Sequence, residues 1–464
     1  MNNHSTICAI STPPGSGAIA VVRLSGNQAL IIAEKVFEGT GKNKKLSEQA
    51  ANTVRYGKIV YKGELIDEVI VALFRNPHSY TGEDLVEIWC HGSVYIQQKI
   101  LELLIENGAR MALPGEFTQR AFLNGKMDLS QAEAVADVIA SANKASHKLA
   151  IDQMRGGFSI KIGQLRDQLL HFAAMIELEL DFSEEDVEFA DRSQLKSLSV
   201  EIERLLKKLK DSFQWGNAIK NGIPVAIIGE TNVGKSTLLN ALLNEEKAIV
   251  SDMHGTTRDV IEDVVNIAGT AFRFFDTAGL RDTDDHIENM GIERSYHKLK
   301  QATIVLLVVD TTNPFPIVSK RITKIRQRIN ETQKLIIVAN KTDIGLPETI
   351  QQLESTELTD NEIMVFIAAK KKENIDQLID FMAGTVKVNT SPGDVVVTNV
   401  RHFEMLTKAH AAIVRVINGL EDGITGDFLS QDIRECMHYL SEITGEISNH
   451  EVLGHIFKNF CIGK

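Results

Sequence analysis

The fold of this chain is decided first by residues 224–243, which read PVAIIGETNVGKSTLLNALL. The apolar run Pro224–Ile228 predicts a strand, and the residues from Thr237 onward predict a helix. Between them stands the pattern G-x-x-x-x-G-K-S, in the context that a phosphate-binding loop requires. Its glycines let backbone N–H groups turn towards phosphates, the lysine adds positive charge, and the serine offers a Mg²⁺ ligand. The loop predicts nucleotide contacts from Asn232, Val233, Gly234, Lys235, Ser236 and Thr237.

Two further loops fit the γ-phosphate and the magnesium ion of a nucleoside triphosphate. A D-x-x-G tetrapeptide follows the predicted strand Phe272–Phe275. There, a carboxylate can hold Mg²⁺ through water and a glycine N–H can meet the γ-phosphate. Upstream, Gly255–Asp259 stands where a switch loop belongs, and a threonine in such a loop senses γ-phosphate and Mg²⁺. The predicted contacts are Thr256, Thr257, Asp276, Thr277, Ala278 and Gly279.

The base is predicted to be guanine. The sequence Asn340-Lys341-Thr342-Asp343 follows the predicted strand Leu335–Val338. The carboxylate of Asp343 can accept from the N1–H and 2-amino groups of guanine, whereas adenine would leave that carboxylate unpaired. After one more strand, Ala369 and Lys370 stand where a Ser-Ala-Lys loop usually backs the guanine ring, although Ala368 replaces the serine.

Hydrolysis at this site requires a group other than the usual glutamine to orient the attacking water. Many GTPases place a glutamine directly after D-x-x-G to orient the attacking water, but Leu280 stands there in this chain. Another group, a partner or an ion must therefore assist. Acidic residues lie just downstream, and either they form a plain solvated loop surface or one of them takes part in catalysis. They are Asp282, Asp284, Asp285 and Glu288.

The hydrophobic pattern of the sequence changes along the chain, which predicts a division into four segments. Residues 1–123 mix short strands with one helical pattern and read as α+β, with an antiparallel or mixed sheet. Residues 124–221 and 387–464 show apolar residues at helical spacing, and residues 222–386 alternate strands and helices. We therefore predict a multidomain α/β plus α protein, in which a P-loop GTPase domain is inserted into a helical domain.

Composition narrows the functional class and the compartment. A net charge of −12 argues against non-specific coating of nucleic acid, although a local basic patch could still bind a folded RNA. Four scattered cysteines fit free thiols in a reducing compartment. No apolar run is long enough for a signal peptide or for a bilayer span, so we expect a cytoplasmic protein without a membrane partner.

The sequence as a whole resembles the family of tRNA-modification GTPases called MnmE or TrmE. The resemblance covers essentially the whole chain, and the two ends are more diagnostic than the P-loop. The segments that carry it are Ala9–Gly15, Val22–Gly26, Ser79–Asp84 with Glu87, His91-Gly92, Pro114–Leu129, Gln131–Ala134 and the C-terminal Cys461-Ile462-Gly463-Lys464.

The resemblance implies a second cofactor and several partners. Residues 1–123 would be a domain for binding tetrahydrofolate and for dimerisation, with 5-formyl- or 5,10-methylene-tetrahydrofolate as one-carbon donor. The folate contacts would be Arg23, Glu87, Lys126 and Lys464. Cys461 would be either a catalytic thiol or a simple packing residue. The chain would form a homodimer and join the flavoprotein MnmG, which carries FAD, in a heterotetramer that modifies C5 of the wobble uridine of tRNAs with an aminomethyl-type group.

The resemblance also implies an ion that compensates for the missing glutamine. Members of this family bind K⁺ against the phosphates, through positions that match Asn232, Ser251, Met253 and Thr256 here. Thr257 would join Ser236 in sensing Mg²⁺, and Glu288 would position water. Catalysis would then rest on Glu288, Lys235 and Asn232.

A second functional class stays open at this point. The chain could be a GTPase binding switch in ribosome or RNA assembly, without folate chemistry. The C-terminal tetrapeptide and the block Pro114–Leu129 favour tRNA modification instead, and no basic RNA-binding segment stands out.

Overall fold

The computed structural model describes most of the chain, in two compact units. The residues described are 5–40, 45–181, 192–243, 263–275, 299, 301–330, 333–387, 395–447, 450–458 and 460–464. One unit comprises Met1–Ile139, Ile151–Arg204 and Met405–Lys464, and the other comprises Ala140–Ala150 and Leu205–Glu404. The boundaries between these units fall inside four helices, so the four-part division stays a prediction.

The first unit contains a seven-stranded mixed sheet in the order β3-β4-β5-β6-β2-β1-β7. Its strands are β1 Ile7–Ile10, β2 Ile19–Ser25, β3 Phe37–Gly39, β4 Thr53–Tyr61, β5 Glu64–Phe74, β6 Leu85–His91 and β7 Arg110–Met111. Only the β1–β7 pair is parallel, and the other pairs are antiparallel. The α+β prediction for this region is thereby confirmed.

Alternation along β2 gives this sheet one packed face and one open face. Ala20, Val22 and Leu24 are buried in a core that also takes residues from helices α1 (Ala29–Val36) and α2 (Val94–Glu106). Because successive side chains of a strand point to opposite faces, Arg23 lies on the other side of the sheet. Helix α3 follows at Glu116–Leu123.

Long helices lie wholly or partly in this unit. They are α4 Leu129–Ala140, α5 Lys144–Met154, α6 Gly157–Asp181, α7 Arg192–Asn221, α12 Val400–Glu421, α13 Gly426–Thr444 and α14 His450–Lys458. Helices α6 and α13 pack against each other. Each buries an apolar stripe at three- and four-residue spacing, for example Leu165, Leu169, Phe172 and Ile176 in α6. The helical texture predicted from the sequence is confirmed here.

The second unit contains a six-stranded sheet in the order β13-β12-β11-β8-β10-β9. Its strands are β8 Ile223–Ile228, β9 Asp263–Ile267, β10 Thr270–Phe275, β11 Ile304–Asp310, β12 Lys334–Asn340 and β13 Glu362–Phe366, and its helices are α8 Lys235–Leu243, α9 Phe315–Arg326, α10 Pro347–Glu354 and α11 Ile375–Lys387. Strands β10, β8, β11, β12 and β13 are parallel, and β9 pairs antiparallel with β10. The predicted βαβ rhythm is confirmed, whereas the edge strand β9 was not foreseen.

The parallel order of the central strands places the loops that follow them at one edge of the sheet. All seven residues of β11 are buried, as expected for a parallel strand covered by helices on both faces. The loops that follow β8, β11 and β12 therefore meet at one edge, outside the carboxyl ends of the strands, where ligands bind in open α/β sheets. Within the described ranges, no helix is both long and apolar enough to cross a membrane.

Candidate functional site

The phosphate-binding loop connects β8 to α8, as the sequence predicts. The Nζ of Lys235 donates to the carbonyl oxygens of Gly229 and Glu230, at 2.7 and 2.6 Å. Burial lowers the pKa of Lys235, and the nearby Glu230 carboxylate opposes this shift. The loop takes positive φ at Asn232 (61°) and Gly234 (100°), so consecutive backbone N–H groups can turn to one side. Ser236 and Thr237 follow in the first turn of α8.

Asn340 ties the loop to the segments predicted to bind guanine. This side chain is only 2% exposed. Its Nδ2 donates to the carbonyl oxygen of Val233 at 2.8 Å, and its Oδ1 accepts from the N–H of Ala369 at 3.0 Å. A Cβ on Gly234 would lie 2.2 Å from that Nδ2, so the close approach requires glycine. The sequence assigns Asn340 to nucleotide binding, and the structure shows that it also holds three loops in register.

An ion pair fixes the lysine that follows. The Nζ of Lys341 lies 2.6 Å from Oδ2 of Asp310, which ends β11. Burial alone would raise the pKa of Asp310, but bonds from Lys341 and Thr312 outweigh it and hold the pKa below its usual range. Lys341 has a φ of 66°, a conformation that costs energy for a residue other than glycine. No local pattern in the sequence indicates that Asp310 pairs with Lys341.

The predicted guanine carboxylate stands at the same edge of the sheet. Asp343 is an exposed residue, although its side chain is only 14% exposed, and its Oδ2 lies 3.3 Å from Nζ of Lys371. Ala369 and Lys370 lie in the 3₁₀ turn Ala369–Lys371, and the N–H of Thr342 donates to the carbonyl oxygen of Ile367. A carboxylate held in this way can accept from the donors on the edge of guanine.

Several predicted site residues lie outside the described residues. They are Ser251, Met253, Thr256, Thr257, Asp276, Thr277, Ala278, Gly279 and Glu288. Within the described residues, no group of three or more His, Cys, Asp or Glu side chains could hold a metal ion. The hydroxyl of Ser236 at the start of α8 fits a Mg²⁺ ion that also binds phosphate oxygens.

A second group of predicted residues meets on the open face of the first sheet. Arg23 and Glu87 are cross-strand partners in β2 and β6. Nε and Nη2 of Arg23 donate to Oε1 of Glu87 at 3.0 and 2.8 Å, and each side chain is 16% exposed. Oε2 of Glu87 accepts from the indole N–H of Trp89 at 3.2 Å. The two predicted folate residues are thus brought together, beside a partly exposed aromatic ring.

The C-terminus joins this pair. The carbonyl oxygen of Gly463 accepts from Nη1 of Arg23 at 3.3 Å. Burial lowers the pKa of Lys464, and the charge of Arg23 adds to that shift. Lys126 instead donates to the carbonyl oxygen of Pro77 at 2.9 Å, in an exposed bond.

The four cysteines are free thiols, as predicted. Burial raises the pKa of Cys8 to about 12, that of Cys90 to about 11 and that of Cys436 to about 12, which keeps these thiols protonated. Only Cys461 is exposed.

A cluster of charged residues in the same unit was not predicted from the sequence. Nη1 of Arg120 donates to both carboxylate oxygens of Glu83, at 3.1 and 2.9 Å, and its Nη2 donates to Glu116 at 3.0 Å. Arg110 also pairs with Glu116. These residues fall within or beside the blocks Ser79–Asp84 and Pro114–Leu129, which carry the resemblance described above. The resemblance thus marks this part of the sequence, but it implies no role for these charged side chains.

Two family models match the chain. The model described as the GTP-binding protein TrmE N-terminus matches residues 6–126. The model described as the MnmE helical domain matches residues 129–461. The chain belongs to the MnmE (TrmE) family. This membership confirms the prediction of an enzyme of the GTPase class in tRNA modification.

Similar proteins agree with the family. A tRNA modification GTPase MnmE of Bacteroides thetaiotaomicron is 57% identical over 468 residues and covers 100% of both chains. Those of Bacteroides fragilis and Flavobacterium johnsoniae are 57% and 51% identical, again over 100% of both chains. Among solved structures, the G domain of the T. maritima FeoB iron transporter is 24% identical over 36% of this chain and 99% of its own, with a TM-score of 0.26, at which the likeness supports no argument.

The Asp310–Lys341 pair makes a testable claim about nucleotide affinity. Asp310→Asn preserves the side-chain shape but removes the charge that holds Lys341. We expect GTP and GDP to bind about tenfold more weakly, because a hydrogen bond to a charged group contributes roughly 1.5–3 kcal/mol. Titration with a fluorescent GDP analogue measures this. The exposed Asp360→Asn is the matched control and should bind normally, and equal affinity in the two variants would contradict a role for the pair.

Proposed function

We propose that this chain is a K⁺-stimulated GTP hydrolase that works with a flavoprotein partner, MnmG. Together they modify C5 of the wobble uridine of tRNAs, with a one-carbon unit from tetrahydrofolate, to give an aminomethyl or carboxymethylaminomethyl group. The observation that carries the proposal is the Arg23–Glu87 pair, joined by the C-terminal residues. A GTPase that acts only as a binding switch has no need of such a second site.

The nucleotide site supports GTP hydrolysis. Lys235 and the N-terminus of α8 face the phosphates, Ser236 offers a ligand to Mg²⁺, and Asp343 selects guanine. From the sequence, Thr257 and the segment 276–279 complete the γ-phosphate and Mg²⁺ contacts, and Glu288 positions the attacking water. In place of the missing glutamine, K⁺ would supply positive charge against the phosphates, held by Asn232 and by Ser251, Met253 and Thr256.

The open face of the first sheet supports folate binding. A folate presents a pterin whose N–H groups suit a carboxylate, and a glutamate tail that requires cations. Glu87 supplies the carboxylate, and Arg23 and Lys464 supply positive charge beside it. The exposed face of Trp89 offers a surface on which a flat ring can stack. Lys126 would add a further cation, Cys461 would be the candidate thiol, and FAD would belong to the partner.

The domain arrangement is part of the same proposal. We place the G domain at residues 222–386, between helical segments 124–221 and 387–464 and after a folate-binding and dimerisation domain at 1–123. Helix α7 ends at Asn221 and β8 begins at Ile223, so the helical segment passes into the first strand of the α/β segment within two residues. The match to the helical-domain model extends on both sides of the G domain, which also favours an insertion. The protein would act as a cytoplasmic homodimer.

The ion hypothesis predicts a salt effect on turnover. GTP hydrolysis should be markedly faster in KCl than in NaCl of equal ionic strength, as a phosphate-release assay would show. Asn232→Gly keeps the positive φ at this position but removes the amide oxygen, so this variant should lose most of the difference. Equal rates of the wild-type protein in the two salts would overturn the K⁺ hypothesis.

The folate hypothesis predicts binding without nucleotide. Calorimetry with 5-formyltetrahydrofolate should show a saturable interaction that Arg23→Ala weakens on the order of tenfold, since it removes charge-assisted hydrogen bonds. Arg155→Ala removes an exposed arginine of the same unit and serves as control. Absence of binding to the wild-type chain would favour the binding-switch function instead.

A further inference from the structure

The last residues of the chain return to the first strand of the N-terminal sheet. Gly463 is buried, and its carbonyl oxygen accepts two hydrogen bonds, from Oγ of Ser11 at 3.1 Å and from Nη1 of Arg23 at 3.3 Å. Two residues earlier, the carbonyl oxygen of Cys461 accepts from the N–H of Gly115 at 3.4 Å. Both lone pairs of the Gly463 carbonyl are therefore used, and one of them is used by a predicted folate residue.

This position requires glycine for two independent reasons. The backbone of Gly463 has a φ of 97°, which residues with a side chain rarely adopt. In addition, a Cβ on Gly463 would lie 2.3 Å from the carbonyl oxygen of Ile10 and 3.0 Å from Cα of Ser11. Both are backbone atoms of or beside β1, so they cannot move aside as the end of a flexible side chain could. Any other L-residue at this position would displace the C-terminal tail, residues Cys461–Lys464, from the sheet.

The tail completes the environment that orients Arg23. A guanidinium carries five N–H donors in one plane. Here, Nε and Nη2 each donate one hydrogen to Glu87, and Nη1 donates one to Gly463. Acceptors on two sides of the group restrict its rotation, while the rings of Tyr80 and Phe117 lie with their centroids 5.6 and 5.7 Å from its central carbon. One hydrogen on each terminal nitrogen is left for a ligand.

We propose that Gly463 is a positioning residue for the folate site, acting through Arg23. Its missing side chain lets the tail lie against β1, and its carbonyl oxygen then sets the plane of the Arg23 guanidinium and places Lys464 beside it. This inference rests on the proposed folate function. It assigns the glycine of the C-terminal tetrapeptide a steric and hydrogen-bonding task, distinct from direct contact by Arg23 or Lys464.

The first test compares two glycine substitutions. Gly463→Ala should weaken binding of 5-formyltetrahydrofolate about tenfold in calorimetry, while the KM and kcat for GTP and the thermal midpoint stay close to wild type. Gly63→Ala is the matched control, because Gly63 also has positive φ (83°) but an added Cβ would meet nothing within 4 Å. Equal folate affinity of wild type and Gly463→Ala would overturn the proposal.

The second test separates positioning from general damage. Arg23→Lys keeps the positive charge but lacks the planar group that the Gly463 carbonyl orients. In the Arg23→Lys background, Gly463→Ala should therefore cause a loss of affinity at least threefold smaller than in wild type, because interacting sites are not additive. The same fold loss in both backgrounds would show that Gly463 does not act through Arg23.

A third measurement needs no folate. In a recombinant chain prepared to end at Lys464, carboxypeptidase B removes an accessible terminal lysine, so release of Lys464 reports whether the tail is docked. We expect release to be several-fold faster from Gly463→Ala than from wild type or Gly63→Ala, and equal rates would contradict the steric argument. If wild type binds no folate yet its tail is protected, the proposed function fails while the docking of the tail stands.

Discussion

The nucleotide site depends on one buried amide. Asn340 donates to the carbonyl of Val233 in the phosphate-binding loop and accepts from the N–H of Ala369 in the turn predicted to back the base. Because a buried, unsatisfied polar group costs about 1–3 kcal/mol, neither loop can move away without penalty. The same contact explains Gly234, since a side chain there would collide with the amide. The phosphate-binding loop and the turn predicted to back the base are therefore held together by this one side chain.

The sequence predicted those parts of the fold whose information is local. The phosphate-binding loop, the strand before it and the helix after it lie within residues 223–243, and the structure has them where the pattern indicates. The hairpin of β9 and β10 was not foreseen because its turn is Ala268-Gly269, both with positive φ. The usual signature of such a turn is Asn-Gly or Asp-Gly, and alanine hides it.

The remaining site features depend on contacts between distant residues. Arg23 and Glu87 face each other only because β2 and β6 adopt one register, and a shift by one residue would send them to opposite faces. Gly463 lies 440 positions from Arg23. Asp310 ends β11 and Lys341 directly follows the neighbouring parallel strand β12, an order that the sheet topology decides. No local pattern encodes these pairings, so resemblance to a family pointed to the predicted folate residues and only the structure supplied their arrangement.

The central claim is that the GTPase serves tRNA modification, and the nucleosides of tRNA test it directly. In a strain lacking this gene, mass spectrometry of the wobble uridines should show loss of the C5 aminomethyl-type groups. A plasmid copy of the chain should restore them, and a Lys235→Ala copy should not. Wobble uridines that stay fully modified in the deletion strain would contradict the account.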